Sequence, residues 1–139
     1  MHYLLSFLLT FTIPHQQVTQ QQTPQSSITA IIDKQLAAYN AHDIEAFLSF
    51  YHKDATTNVF PNMPLDKGID AIRKGYSRMF QTSPKLKAEI VNRIVQGNYV
   101  IDQEKVTGFR ETDTEPMIAT AIYKVENGLI TQVWFINSK

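Results

Sequence analysis

The chain has 139 residues, 43% of them apolar, which is enough for one domain with a real core and too little for two. Thirteen basic and thirteen acidic residues cancel to zero formal charge, and no cluster of Lys or Arg interleaved with aromatics follows a phosphate backbone, so nucleic acid is not an expected partner. With no cysteine there is no disulfide, no thiolate metal site and no thiol nucleophile, and any chemistry must come from other side chains.

Residues 3–13 form an apolar run interrupted by Ser6, Thr10 and Thr12 and closed by Pro14; a Gln-rich tract follows. The run is too short to span a bilayer but has the length of a signal-peptide core. The expectation is a leader over residues 1–26 and a folded domain over 27–139, in a periplasmic or secreted protein; a cytoplasmic protein with a disordered leader is the alternative. Neither reading leaves a stable membrane span in the mature chain.

Ser27 suits a helix N-cap, and Ile28, Ile31, Ile32, Leu36 and Tyr39 recur at helical spacing as far as about Asn40. Gln35 lies on that same apolar stripe, where an amide needs partners or an enclosed, partly wet space. After a break at Asn40-Ala41-His42, Asp43 opens a second helix that presents Ile44, Phe47, Leu48 and Tyr51 and ends near His52. Ala55 to Phe60 reads as a short strand stopped by Pro61 and Pro64, with a surface loop beyond. A third helix follows Gly68, burying Ile69, Ile72, Tyr76, Met79 and Phe80 and finishing before Pro84. From Lys85 the period changes to two. Turns at Gly97-Asn98, at the acidic segment from Asp113 to Pro116 and at Asn127-Gly128 then divide the rest into four antiparallel strands. The expected fold is α+β: a cone-shaped half-barrel of three N-terminal helices packed on one strongly curved, mostly antiparallel sheet.

This order resembles the nuclear transport factor 2-like superfamily, in particular its SnoaL-like and ketosteroid isomerase-like branch. The stretches that carry the resemblance are AAYNAHDIEAFLSFYHKDAT, GIDAIRKGYSRMF and the YKVENGLITQVWF hairpin. The resemblance implies a conical pocket for a small molecule. In the isomerase branch a tyrosine and a protonated aspartic acid donate to an enolate oxygen while a second aspartate moves the proton; the aligned positions here hold Gln35, Thr120 and Val59. Valine cannot exchange a proton, so that mechanism lacks its base.

The candidates for the pocket are Gln35, Tyr39, Tyr51, Val59, Tyr76, Thr120, Phe135 and Asn137. Aromatics at helical spacing are also ordinary core, so the polar Gln35 and Thr120 stand out. His42, Asp43, His52 and Asp54 suit no standard ligand set and read as caps and turns, so neither metal nor cofactor is expected. Arg110 or Glu111 near the barrel mouth could meet a polar substrate. On the last strand Ile130, Trp134 and Ile136 are expected to face outward and form a homodimer interface. The function expected is binding of a small apolar or amphipathic molecule with a lyase- or isomerase-type step. A non-catalytic ligand-binding or protein-interaction module is the alternative, and an ionisable group opening into the cavity would favour the enzyme.

Overall fold

The computed structural model describes residues 25–137, so the expected leader lies almost wholly outside the described residues. Helix α1 spans Gln25–Asn40, α2 Ile44–Leu48 and α3 Ile69–Thr82. The strands are β1 Tyr51–Val59, β2 Met63–Lys67, β3 Lys87–Gln96, β4 Tyr99–Thr107, β5 Met117–Glu126 and β6 Leu129–Asn137. They form one sheet in the order β2-β1-β6-β5-β4-β3, antiparallel throughout except where β1 runs parallel to β6. The helices lie on one face of this curved, open sheet, which is the expected α+β cone. Among the described residues no helix is long and apolar enough to cross a membrane.

Local chemistry sets most boundaries. Asp43 caps α2, its carboxylate accepting the Ala46 N–H at 3.0 Å. Asn127 and Gly128 both take positive φ, 50° and 79°, matching the right-handed twist of the β5–β6 hairpin. Gly108 ends β4 at φ 70°, and a Cβ there would lie 2.3 Å from the Lys85 carbonyl oxygen, so the close approach of the two segments requires glycine.

Other boundaries differ from expectation. Ser27 is inside α1 rather than its cap. The second helix stops at Leu48, and Tyr51 belongs to β1: the Ile130 N–H donates to the Phe50 carbonyl at 2.8 Å and Tyr51 pairs with Ile130, so docking on β6 draws the chain into a strand. The expected loop after Pro61 contains β2, an edge strand that admits Pro64 beside the irregularity at Thr57/Asn58. The open edge on the other side is β3. There the Asn40 side chain takes up both backbone groups of Ala88, at 2.9 and 2.8 Å, and Gln25 donates to the Val95 carbonyl at 3.0 Å. Helix α1 thus shields backbone that could otherwise pair with another chain.

Two side-chain layers fill the space between helices and sheet. Phe47, wholly buried, has ring centroids of Tyr76 and Tyr51 at 4.4 and 5.0 Å, and Tyr39 and Phe80 pack 5.6 Å apart edge to face. Toward β3 and β4, Asp102 is wholly buried and Arg93 grips it through two bonds of 2.6 and 2.8 Å while reaching Asp33 of α1 at 2.7 Å. This fork ties the first helix to the sheet.

On the outer face one residue departs from the expected direction. Thr131 is an extra residue opposite β5, between the pairs Val125–Ile130 and Lys124–Gln132. This bulge reverses the alternation, so Ile130 points into the core with no exposure while Trp134 and Ile136 face outward.

Candidate functional site

The curvature of the sheet opens a cavity of about 550 Å³ between α1, α3 and the inner sheet face. Helix α1 contributes Gln35, Leu36 and Tyr39; α3 contributes Gly75, Tyr76 and Met79. From the sheet come Thr57, Asp66, Ala88, Glu104, Val106, Ala119, Tyr123 and Phe135, among others. Ala88 on β3 and Ala119 on β5 leave room in this wall, small inward side chains where larger ones would fill the cone. Phe109 and Arg110 stand at the mouth, in the β4–β5 segment that the Ser83 hydroxyl holds by donating to the Phe109 carbonyl at 2.6 Å.

Of the residues singled out in the sequence, Gln35, Tyr39, Tyr76 and Phe135 are in this wall. Tyr51 is buried behind it, its hydroxyl accepting from Gln35 Nε2 at 2.9 Å. Val59, paired with Phe135 at the end of β1, is not a lining residue. Thr120 is on the wrong face for the site: it pairs with Gln103 and Ile136, while its neighbours Ala119 and Ala121 are the buried ones. Ile118 and Ile122 give the outer side of β5 the pattern of a core stripe, which is why alternation alone points Thr120 inward. Asn137 closes β6 opposite Ala119, but its side chain lies outside the described residues. Arg110 reaches the mouth, with its guanidinium 5.9 Å from the centre of the Phe109 ring.

Two carboxylates were missed. Asp66, on the unforeseen strand β2, accepts the Thr57 hydroxyl at 2.8 Å, and its own N–H donates back to that oxygen at 3.2 Å. Glu104 lies in the β4 wall and accepts the Tyr123 hydroxyl at 3.2 Å. A signal for it existed: Val100, Asp102, Glu104 and Val106 share one face of a strand whose apolar members are buried, so both acids had to be inward.

Burial pushes the Glu104 carboxyl up to about 7; the Tyr123 hydroxyl works against this, Asp102 adds to it and Arg93 opposes it. The same burial, with the negative charge at Glu104 as a further contribution, holds Tyr39, Tyr51, Tyr76 and Tyr123 well above the ordinary phenol range. The site therefore combines neutral hydroxyl donors with one carboxyl poised to gain or lose a proton near neutral pH. Elsewhere, the His42 ring stacks on Phe80 and donates Nε2–H to the Leu86 carbonyl at 2.9 Å, and His52 Nδ1 accepts the Asp54 N–H at 3.1 Å. Among the described residues no three His, Asp or Glu side chains gather as a metal site would require.

Fold and cavity together define a cone-shaped pocket protein of the nuclear transport factor 2-like kind. The SnoaL-like domain matches residues 32–133, most of the chain, and the protein belongs to that family. An uncharacterized cystatin-fold protein from Novosphingobium aromaticivorans is similar at 29% identity, with a TM-score of 0.73 over 79% of this chain and 97% of its own. A putative polyketide cyclase from Sinorhizobium meliloti (19% identity, TM-score 0.67, 79% and 98% covered) shares the fold. So does a putative SnoaL-like polyketide cyclase from Jannaschia (13% identity, TM-score 0.72, 86% and 91% covered). No curated protein matches the chain.

Proposed function

We infer that this SnoaL-like protein binds a small, mostly apolar molecule in the cone and carries out a lyase- or isomerase-type proton transfer on it, with Glu104 as the acid–base group. The carrying observation is the Glu104 carboxyl in the cavity wall, titrating near 7 and within hydrogen-bond reach of Tyr123. Tyr39 and Tyr76 are the hydroxyls available to steady a developing oxyanion, since the Tyr123 O–H is given to Glu104. A steroid isomerase constellation is not reproduced, because Val59 and Thr120 are outside the cavity and the acid comes from β4 instead.

The test is deuterium uptake at carbon next to a carbonyl, followed by proton NMR for a panel of small cyclic ketones in heavy water. Wild type should exchange at least one of them faster than buffer, and Glu104→Gln should lose roughly 100-fold or more of that rate. Equal rates in the two proteins would remove Glu104 from the chemistry. Saturable binding without exchange of any ketone would favour the second reading, a non-catalytic binding module, which the missing family base at Val59 supports.

The proposal includes a homodimer. Across the outer face Ile94, Ile101, Ile122 and Trp134 are consecutive cross-strand partners, with Ile136 beside them, and among the described residues the helices cover only the other side. Trp134→Glu is expected to turn a dimer into a monomer in light scattering without closing the cavity on the opposite face, since an unpaired buried charge costs several kcal/mol. A wild-type monomer at micromolar concentration would refute it. Export from the cytoplasm is likewise part of the proposal, supported by the apolar run at residues 3–13.

A further inference from the structure

The charged groups in the cavity wall are unevenly matched. Glu104 and Asp66 both line it, against a single lining cation among the described residues, Arg110, which stands at the mouth rather than beside Glu104. Arg93 is held by Asp102 and Asp33, and Arg110 is exposed at the mouth over Phe109. Tyr39 and Tyr76 from the helices and Tyr123 from β5 stand in the same wall as the Glu104 carboxyl, and the remainder is largely apolar. A carboxylate set among aromatic rings, away from bulk water and without its own cation, is where an ammonium group gains most: from the charge, from the rings and from burial of its hydrocarbon. An anion entering the same space passes Arg110 at the mouth but meets two acids further in.

We propose that the cavity selects a small organic amine, with the protonated nitrogen beside Glu104 among the tyrosines and the apolar body against Met79, Val106, Met117 and Phe135. The inference rests on the reading of the cone as a small-molecule site and names its ligand class. It also gives Glu104 a trigger. A bound cation stabilises the ionised carboxylate, so ligand entry would drive off the proton and leave a base at the reacting molecule.

The test is calorimetric titration at pH 7 with three probes of one shape and different charge: 2-phenylethylamine, 2-phenylethanol and 3-phenylpropanoate. Wild type should bind the amine at least tenfold more tightly than the alcohol and the propanoate not at all. Amine binding should release a proton, read as a heat that varies with the ionisation enthalpy of the buffer. In Glu104→Gln the preference for amine over alcohol should fall below about threefold, and in wild type it should weaken at pH 5, a readout that needs no variant. Alcohol binding as tight as amine overturns the amine proposal and leaves the small-molecule site standing. Tightest binding of the propanoate does the same. Heat from none of the three counts against the site itself. An amine preference that survives both Glu104→Gln and pH 5 overturns the role given to Glu104.

Discussion

Replacing Arg93 by Met should destabilise the domain by about 3–5 kcal/mol, because it strands the Asp102 carboxylate in the core without its cation. The Asp102 side chain is 1% exposed and that of Arg93 18%, so water cannot take over the lost bonds. Hydrophobic burial is not what is removed, since methionine keeps most of the stem's packing. Loss of the bond to Asp33 contributes little, as that carboxylate is 59% exposed. Urea unfolding should show a lower midpoint at an unchanged slope. Arg93→Met combined with Asp102→Leu should recover most of the loss, because the expensive species is the unpaired charge rather than the missing pair. If the double variant is no better than Arg93→Met alone, the fork is required for its geometry, as the strap joining α1 to β3 and β4.

The second large effect is a pH dependence belonging to Glu104. In the unfolded chain this side chain loses its proton near 4.5, and in the folded protein near 7. Between those values the native state holds a proton that the unfolded state has given up. Its contribution is therefore full below about pH 4.5, declines as pH rises through 7 and is absent above. The difference amounts to about 3 kcal/mol. Glu104→Gln keeps the shape and removes the titration, so the variant should match wild type near pH 4 and exceed it by up to about 3 kcal/mol at pH 8. Other carboxylates act on both proteins alike, and the difference between the two stability curves isolates Glu104. Parallel curves from pH 4 to 8 would mean that the carboxyl is solvated like any surface glutamate, and the proposed acid–base role would lose its support. A more stable but inactive variant is the expected combination, since a carboxyl held in a dry cavity is costly to the fold and useful to proton transfer.

Much of the architecture is written locally. The helical stripe of α1, the Asp43 cap, the positive-φ pair Asn127-Gly128 and the alternation of β3 to β6 depend on near neighbours in the chain, and they lead to three helices on a curved sheet in the observed order. The inward place of Gln35, Tyr39, Tyr76 and Phe135 follows from the same periodicities. Tertiary structure decided what alternation alone leaves open. Both sides of β5 carry apolar residues, so only pairing and helix cover determine that Ala119 faces the cavity, Ala121 the core and Thr120 neither. One inserted residue, Thr131, sends Ile130 to the core and Trp134 to the surface. Strand β2 exists because β1 offers it a free edge, and Tyr51 is a strand residue because β6 captures it. Glu104 is the sharpest case: its inward direction could be read from the strand, but its affinity for a proton is set by the depth of burial and by Tyr123, Asp102 and Arg93, a surrounding that exists only once distant segments have met.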